Sequence, residues 1–465
     1  MSKYLKCTTD KNAVSYKCGE KIVFSVVAMN NCQPTTYGFL RWTLEGDDGK
    51  KSQGIFEYDN GRPLIIETTL DRPGFVLLTV GVYDKSANFD SSFDKLEAGA
   101  GAEIEKLEYF DTIPDDFDEY WADIEALVAS HTPVVTYERE ITQGVPTGFR
   151  AFDVRVSVPC DGRDASGILT YPDDGEKHPL CVAFQGYAIS PAIVEYIDDF
   201  VTIKLNAHGI RNDRPRFMAE FDYPELNHYG FNEKENSSNM TTYWRNMMIR
   251  NLTAVKYAKS LDVWDGKGLV SYGGSQGALQ ATTVAAHDKD VTYLDIFIPW
   301  FCNLSAESHG YMKGWRPRPA EGLRYFDTVA QATRVKCPTR ISARLGDYVC
   351  PPSTTSTLYN CFNTVKGIDF IQAGTHPYLP PEQIKFRLRY DPSNPNSELK
   401  LGKYRHYKGG EYELVALGTD SESLEETVIY KSTKDGQIWV RPRYMFEEYV
   451  AVKGIPVKRF EYIGE

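Results

Sequence analysis

The spacing of hydrophobic and polar residues changes along the chain and predicts three regions. Residues 1–100 contain short runs rich in Val, Ile, Phe and Thr, with no helical pattern between them, which predicts a small β-sandwich-like domain. These runs are Lys21–Met29, Gly38–Leu44, Leu64–Leu70 and Gly74–Asp84. Within 101–385, apolar runs of strand length alternate with helical patterns, which predicts a parallel sheet with helices on both faces. Residues 386–465 are expected to form a small β domain.

The sequence predicts a linker at the start of the middle region and two amphipathic helices within it. The small-residue run Leu96–Ile104 looks like a linker. A helix is expected to begin at Pro114, because proline and the two aspartates that follow it suit the first helical turn. Apolar residues then recur at helical spacing as far as Ser130, as they do on a packing helix. A second amphipathic helix, Tyr243–Asp262, leads into the stretch that carries the candidate chemistry.

The stretch Lys267–Ala278 contains the residues most typical of a catalytic site. A short apolar run leads into Gly-Gly-Ser-Gln-Gly, with Ser275 at its centre, and an alanine-rich, helix-like segment follows. Strand, G-x-S-x-G and helix in this order form the nucleophile elbow of an α/β-hydrolase. Glycines on both sides let the strand and the helix approach a serine held in a strained turn. The pattern predicts an α/β-hydrolase core with Ser275 as nucleophile and the N–H of Gln276 facing an oxyanion. An ordinary Gly/Ser loop is the alternative.

Chain order then selects a candidate acid and a candidate base. In this fold the nucleophile is followed by Asp or Glu and then by His. Asp347 follows a strand-like run that begins at Cys337, and His376 follows another that begins at Gly367. Both lie just past the carboxyl ends of predicted strands, at the edge where open α/β sheets place their sites. We therefore expect Asp347 to orient His376, and His376 to take the proton of Ser275. Taken singly, a loop histidine and a turn aspartate explain these residues as well.

Three further strand ends supply candidates around the nucleophile. The buried run Leu180–Phe184 ends in Gln-Gly-Tyr, and the loop at this place gives the second oxyanion N–H of the fold. The N–H of Tyr187 is the candidate, although an ordinary strand-to-helix turn fits the segment equally well. Trp300 ends another predicted strand, where it either faces substrate or packs in the core. His208 is a second candidate for substrate contact. The histidines before Asp347 show no metal-ligand spacing, so neither a metal nor a cofactor is expected.

Composition restricts the partners and the compartment. The formal net charge of −12 disfavours nucleic acid and anionic membranes as partners. No apolar run reaches the length of a membrane span, and the start of the chain lacks a signal-peptide core. The nine cysteines are scattered and include no C-x-x-C pair, which predicts reduced thiols in a cytoplasmic protein. The aromatic content of 13% fits sugar binding and abundant β-structure equally well.

Four stretches together resemble one known family. Their G-x-S-Q-G and D-x-x-C-P-P-S-T motifs are much more specific than G-x-S-x-G alone. The stretches are Phe110–Trp121, Tyr272–Ala278, Leu323–Pro338 and Leu345–Asn360. Over about residues 105–385 the chain resembles the acetyl xylan esterase / cephalosporin C deacetylase family, carbohydrate esterase family seven. The resemblance implies a triad of Ser275, Asp347 and His376, with Tyr187 and Gln276 as oxyanion-hole residues.

The same resemblance implies a substrate class. Members of this family remove O-acetyl groups from xylo-oligosaccharides and related small acetylated compounds, usually inside the cell and often as oligomers. We therefore expect a small acetylated carbohydrate as substrate and allow for a homo-oligomer. The chain departs from the family at His208-Gly209-Ile210, where Arg-Gly-Gln is usual, and at Pro377, where Glu is usual. The triad survives both departures, whereas pocket shape, oligomer contacts and substrate choice stay open.

The last 60 or so residues form a separate unit in the sequence. From about residue 400 to 465 they resemble a small bacterial family of unknown function. Their aromatic and basic residues fit a glycan-binding module and a structural appendage equally well. Two other functions also stay open for the whole chain: an esterase for bulkier acyl groups such as feruloyl, and a glycan-binding protein with a degenerate hydrolase core.

Overall fold

The computed structural model describes residues 3–35, 38–57, 62–160, 162–394, 399–421 and 426–464. Within these ranges the chain forms two antiparallel N-terminal sheets, a ten-stranded central sheet and a five-stranded C-terminal sheet. None of the helices there combines the length and the apolar character that a bilayer crossing needs.

Eight strands build the N-terminal sheets. They are β1 (Lys3–Thr9), β2 (Ile22–Asn30), β3 (Gln33–Pro34), β4 (Phe39–Gly46), β5 (Lys51–Glu57), β6 (Leu64–Thr68), β7 (Gly74–Tyr83) and β8 (Leu96–Ala102). One sheet has the order β1-β2-β3, with β6 also paired to β2, and the other has the order β5-β4-β7-β8. Burial alternates along β2, where Ile22, Phe24 and Val26 are fully buried, as expected for a strand with one face in the core. This core is continuous with that of the central sheet.

The predicted linker at Leu96–Ile104 is wrong, because most of it is strand β8. This strand pairs antiparallel with β7, from Gly74 opposite Ala102 to Val80 opposite Leu96. Its small residues are a packing requirement, since a Cβ on Gly99 would lie 2.4 Å from the carbonyl oxygen of Leu345. The expected domain boundary at residue 100 therefore falls inside a strand of the N-terminal domain.

The central sheet has the order β18-β17-β16-β15-β14-β12-β13-β11-β10-β9, and its six middle strands are mutually parallel. Its strands are β9 (Val135–Glu140), β10 (Phe149–Val156), β11 (Ala165–Pro172), β12 (His178–Phe184), β13 (Val201–Asn206), β14 (Trp264–Gly274), β15 (Tyr293–Phe297), β16 (Thr339–Arg344), β17 (Lys366–Ile371) and β18 (Lys385–Tyr390). The helices that go with it are α1 (Phe117–Ser130), α2 (Arg216–Asp222), α3 (Tyr243–Ala258), α4 (Gln276–His287), α5 (Thr328–Ala332) and α6 (Pro352–Cys361). The α/β-hydrolase core predicted from the elbow is the architecture that the chain adopts.

The C-terminal domain is a small β unit with a core of its own. It contains β19 (Gly402–His406), β20 (Glu411–Thr419), β21 (Glu426–Ser432), β22 (Ile438–Pro442), α7 (Arg443–Glu447), β23 (Tyr449–Val452), β24 (Ile455–Lys458) and β25 (Phe460–Gly464). The five-stranded sheet has the order β22-β21-β20-β19-β25, and β23 and β24 form a separate hairpin. The hairpin contacts the central sheet, where the Thr292 hydroxyl donates to the Gly454 carbonyl at 2.6 Å. Strand β18 still belongs to the central sheet, so the expected boundary at 386 lies inside that strand, 16 residues before β19, the first strand of this domain.

Candidate active site

Ser275 lies on a sharp turn between β14 and α4. Its backbone has φ 55° and ψ −123°, and a positive φ is unusual for a residue with a side chain. The Ser275 N–H donates to the Phe297 carbonyl of β15 at 3.0 Å, which ties the turn to the neighbouring strand. A Cβ on Gly273 would lie 2.2 Å from the Gly277 carbonyl oxygen, and one on Gly277 would lie 2.5 Å from that of Phe184. Both glycines are therefore needed for the strand and the helix to meet at the serine.

Asp347 and His376 form a hydrogen-bonded pair. The His376 Nδ1–Asp347 Oδ2 distance is 2.9 Å, and Asp347 is fully buried. The other oxygen, Oδ1, accepts the N–H groups of Val349 and Cys350, both at 2.8 Å. These two bonds hold the carboxylate in place. A carboxylate can only accept a hydrogen bond, so in the bond between the two side chains His376 Nδ1 carries the proton. The His376 Nε2 atom is then left as an acceptor.

Arg344, the last residue of β16, holds the loop that carries His376. Its guanidinium donates to the carbonyl oxygens of Thr375 and His376. The same strand therefore supplies the residue that fixes the histidine loop and, three residues later, Asp347. Sequence reasoning missed Arg344, because an arginine at a strand end carries no pattern of its own.

The Ser275 hydroxyl has a neighbour that the sequence analysis did not consider. The Cys350 thiol lies beside it: burial raises the pKa of that thiol well above its ordinary value, and the serine hydroxyl opposes this rise. Atoms of Asp347, Cys350 and His376 lie within 4.8 Å of one another. Across the described ranges, no hydrogen bond joins Ser275 to His376 in this conformer. Such bonds are often long before substrate binds and tighten afterwards. The D-x-x-C spacing was the available signal for Cys350, since three residues of a tight turn bring the thiol back towards the carboxylate.

The loop after β12 runs directly beside the nucleophile. A Cβ on Gly186 would lie 4.0 Å from Ser275 Cβ, which brings the backbone of Gly186 and Tyr187 close to the serine. The Tyr187 ring stacks on that of Tyr229 with centroids 4.1 Å apart, and the Tyr187 hydroxyl donates to the Tyr229 carbonyl at 3.0 Å. On the other side of Ser275, Gln276 begins α4, and the first N–H groups of a helix have no carbonyl one turn earlier to bond.

The side chain of Gln276 contacts Tyr229. This side chain is fully buried, and its Oε1 atom accepts the Tyr229 hydroxyl at 2.6 Å. Tyr229 therefore contacts both candidate oxyanion residues, Gln276 through its hydroxyl and Tyr187 through its ring and carbonyl. Sequence reasoning missed it, because it lies in the long, mostly polar segment between β13 and α3, which has no catalytic motif.

His208 lies behind this loop, fully buried. Its Nε2 atom is 2.9 Å from the Ala188 carbonyl and its Nδ1 atom 2.7 Å from the Tyr243 hydroxyl. Because a carbonyl only accepts, Nε2 carries the proton and Nδ1 accepts from Tyr243. Burial lowers the pKa of His208 to about 4, so the ring is neutral. His208 thus fixes the residue that follows Tyr187. A direct contact with substrate stays a prediction, and this burial does not favour it.

Trp300 is only 2% exposed and packs in the core. Its indole N–H donates to the Trp315 carbonyl, and the two rings stack with centroids 5.5 Å apart. Trp315 is 42% exposed and meets the Tyr187 ring edge-on at 4.7 Å. Contact between Trp300 and substrate is therefore also an untested prediction. Trp315, from a loop without a sequence pattern, is the ring that reaches the surface beside Tyr187.

The N-terminal domain braces this side of the molecule. Gln372, after β17, forms a pair of hydrogen bonds with the backbone of Gly99, at 3.0 and 2.9 Å. The Thr79 and Tyr348 hydroxyls are 2.8 Å apart, so β7 contacts the residue that follows Asp347. The Asp47 carboxylate accepts the Met312 N–H at 3.0 Å, at the start of the loop that carries Trp315. Residues that flank the candidate acid, base and aromatic ring are thus held by the first hundred residues.

A cavity of about 750 Å³ lies elsewhere, between the central sheet and the C-terminal domain. It is lined by Tyr293, Arg340 and Lys366, at the start of β15, β16 and β17. These are the amino ends of the parallel strands, whereas Ser275, Asp347 and His376 follow the carboxyl ends. The cavity contains none of the predicted site residues.

The central sheet and the turn between β14 and α4 are those of an α/β-hydrolase, and the family that the chain matches makes it a carboxylic ester hydrolase. The chain belongs to the acetyl xylan esterase family, whose model, described as acetyl xylan esterase (AXE1), matches residues 100–309 and 317–391. A second model, described as a protein of unknown function (DUF1653), matches residues 402–462. The resemblance found in the sequence motifs is confirmed for both parts of the chain.

The chain is also similar to individual named proteins. The acetyl esterase Axe7A of Xylanibacter ruminicola is 25% identical over 339 residues, which cover 68% of this chain and 73% of that protein. The acetyl xylan esterases of Paenibacillus sp. R4 and Thermoanaerobacterium sp. JW/SL YS485 are each 18% identical, over 60% of this chain and 94% of theirs. Their TM-scores are 0.48 and 0.49. A DUF1653 protein from Bordetella bronchiseptica is 31% identical over 14% of this chain and 90% of its own, with a TM-score of 0.14.

Proposed function

We propose that this protein removes O-acetyl groups from small acetylated carbohydrates such as xylo-oligosaccharides. The observation that carries the proposal is a strained serine turn near a hydrogen-bonded His376–Asp347 pair with a buried carboxylate, in a chain of the acetyl xylan esterase family. Ser275 is the nucleophile, His376 the general base and Asp347 the group that orients the imidazole. The reaction proceeds through an acetyl-enzyme on Ser275.

In the first half of the reaction, Ser275 Oγ attacks the acetyl carbonyl as His376 Nε2 takes its proton. Asp347 keeps the proton on Nδ1, so that Nε2 is free to act, and stabilises the imidazolium that forms. The N–H groups of Tyr187 and Gln276 bind the oxyanion. A pair of such donors in a water-poor site is worth several kcal/mol of barrier. The hydrogen bond from the Ser275 hydroxyl to His376 Nε2 forms when substrate binds.

In the second half, the imidazolium gives its proton to the leaving sugar oxygen. Water then takes the place of the sugar, His376 Nε2 accepts its proton, and the hydroxide attacks the acetyl carbonyl. Acetate leaves and Ser275 Oγ regains its proton. No group beyond those of the chain and water is needed to balance these steps. Trp315 is the proposed aromatic platform for the sugar ring.

Replacement of the nucleophile tests the assignment. Ser275→Ala should lower acetate release from p-nitrophenyl acetate and from acetylated xylo-oligosaccharide by about 10⁴-fold or more. Ser308→Ala, which changes an exposed serine outside the site, is the matched control. Unchanged turnover in Ser275→Ala would refute the triad.

The substrate class needs a separate measurement. A series of p-nitrophenyl esters of increasing acyl length, together with a feruloyl ester, should show the highest kcat/KM for acetyl. Preference for a longer or aromatic acyl group would replace the proposal with an esterase for bulky acyl groups. Oligosaccharide binding without any turnover would instead support a degenerate core.

We also propose a reducing, cytoplasmic location. No disulfide joins any of the nine cysteines, all of which lie in the described ranges, and this fits a compartment that keeps thiols reduced. Labelling with a membrane-impermeant thiol reagent before and after lysis of the source cells would test it.

A further inference from the structure

Three side chains of different chemistry meet beside Ser275. A carboxylate oxygen of Asp347, the Sγ atom of Cys350 and a ring nitrogen of His376 lie within 4.8 Å of one another. Asp347 and Cys350 are buried, and the His376 side chain is 23% exposed, so the group opens to solvent on the histidine side. A thiolate, an imidazole and a carboxylate are the ligand types that Zn²⁺ uses in proteins. The triad proposed above employs two of these residues and gives Cys350 no role.

We propose that Asp347, Cys350 and His376 form a binding site for Zn²⁺ and similar thiophilic divalent cations, and that its occupation stops ester hydrolysis. The second half of this statement depends on the function proposed above, and the first half does not. The histidines showed no ligand spacing in the sequence, because the three ligands come from two different loops. The fold brings those loops together at the ends of β16 and β17.

The spacing suits a tetrahedral ion after small movements. Zinc binds sulfur at about 2.3 Å and nitrogen or oxygen at about 2.0–2.2 Å, which places ligand atoms about 3.5 Å apart. The 2.9 Å separation of His376 Nδ1 and Asp347 Oδ2 would have to lengthen by about 0.5 Å if Nδ1 were the ligand. The Cys350 sulfur would move towards the metal from its position in the structure. The Ser275 hydroxyl, which lies beside the Cys350 thiol, borders the fourth position, which it or a water molecule would fill.

Charge favours a divalent ion over a monovalent one at this site. The Asp347 carboxylate and a Cys350 thiolate carry two negative charges, which balance the two positive charges of the metal. A buried cluster without net charge avoids most of the cost of placing an unpaired ion in the protein interior. The Cys350 thiol proton leaves to solvent when the sulfur–metal bond forms. Without the metal, Cys350 stays a neutral thiol.

Occupation would remove the general base. If the metal binds Nδ1, the proton on that atom moves to Nε2, and an N–H there cannot accept the proton of Ser275. If the metal binds Nε2, it occupies the lone pair that would otherwise accept the proton of Ser275. Either geometry leaves Ser275 without a proton acceptor, so hydrolysis should fall in proportion to the fraction of sites occupied.

This inference is tested by comparing zinc inhibition of the wild type with zinc inhibition of a variant that lacks the Cys350 thiol. Zinc at micromolar concentration should lower the hydrolysis of p-nitrophenyl acetate at least 10-fold, and EDTA should restore the rate. Mg²⁺, which prefers oxygen ligands, should have no effect. In Cys350→Ala the zinc concentration for half-inhibition should rise about 100-fold, each variant being compared with its own metal-free rate. Cys361→Ala, at the end of α6, is the matched control and should respond like the wild type.

A spectroscopic measurement separates this inference from the proposed function. The variant Ser275→Ala keeps all three ligands, and measuring metal binding to it does not require turnover. With Co²⁺ it should show the near-ultraviolet absorption of a thiolate bound to cobalt, and Ser275→Ala/Cys350→Ala should not. Equal zinc sensitivity in wild type and Cys350→Ala, or cobalt binding without a thiolate band, would overturn the site. If the wild type hydrolyses no ester, the cobalt band alone decides.

Discussion

Lowering the pH should destabilise the protein at one buried ring, that of His208. This histidine is neutral and fixes the Ala188 carbonyl while accepting the Tyr243 hydroxyl. Burial lowers its pKa to about 4, and the positive charges of Arg250 and Arg163 oppose a further positive charge there. Protonation would place a cation beside two others and would leave Nδ1 unable to accept from Tyr243.

The size of the effect follows from proton linkage. A histidine in the unfolded chain ionises near 6.5, so between pH 6.5 and 4 the unfolded chain binds a proton that the folded chain does not. The free energy of unfolding therefore falls as the pH falls through this window, and the loss stops below pH 4. The expected contribution is about 2 kcal/mol at pH 5 and about 3 kcal/mol at pH 4, relative to pH 8.

Urea denaturation at pH 8, 6 and 5 measures this contribution. His208→Asn should be less stable than the wild type at pH 8, and the difference between the two should shrink by about 2 kcal/mol at pH 5. His228→Asn replaces an exposed histidine of the same domain and serves as the control. A difference between wild type and His208→Asn that does not change with pH would refute the reasoning.

Three further substitutions test other contacts. Gly346→Ala would place a Cβ 2.0 Å from the Glu97 carbonyl oxygen; we expect a loss of about 1–3 kcal/mol in urea denaturation, and unchanged stability would contradict the contact. Arg344→Met removes the donors that hold the His376 loop, so kcat should fall about 10- to 100-fold with KM little changed; a change in KM alone would contradict this role. Asp327 accepts three backbone N–H groups at 2.8–3.0 Å, and Asp327→Asn should lower the free energy of unfolding by about 2–3 kcal/mol, because one N–H then faces an amide NH₂ group. A thermal midpoint equal to that of the wild type would refute this last expectation.

The parts of the fold that the sequence predicted are those with a local pattern. The elbow around Ser275 needs glycines at fixed positions, and the steric contacts of Gly273 and Gly277 show why no other residue fits. Asp347 and His376 could be placed because an α/β-hydrolase fixes the order of its catalytic residues and the sheet edge at which they lie. The pairing of these two residues was expected from order alone, and the structure puts them 2.9 Å apart.

The parts that the sequence did not predict depend on contacts between distant segments. Small residues in Leu96–Ala102 look like a linker, because nothing local reveals that β7 and Leu345 press against them. Tertiary packing leaves Trp315 exposed and buries Trp300, and residue type alone does not determine this difference. The thiol beside the Ser275 hydroxyl likewise comes from a loop 75 residues further along the chain, and only the fold brings Cys350 to it.

The two hydrogen bonds between Gln372 and Gly99 limit how this protein could be truncated or how its domains could be recombined with those of other proteins. A chain shortened to the family-matched part, which begins at residue 100, would lose Gly99 with most of β8 and leave the buried Gln372 amide without its backbone partners. Leaving such a polar group unpaired costs about 1–3 kcal/mol. The β8 surface that covers Leu345 and Gly346, just before Asp347, would be lost with it. The N-terminal sheets are therefore not an exchangeable module, and transplanting the hydrolase core to another chain would require this one strand to travel with it.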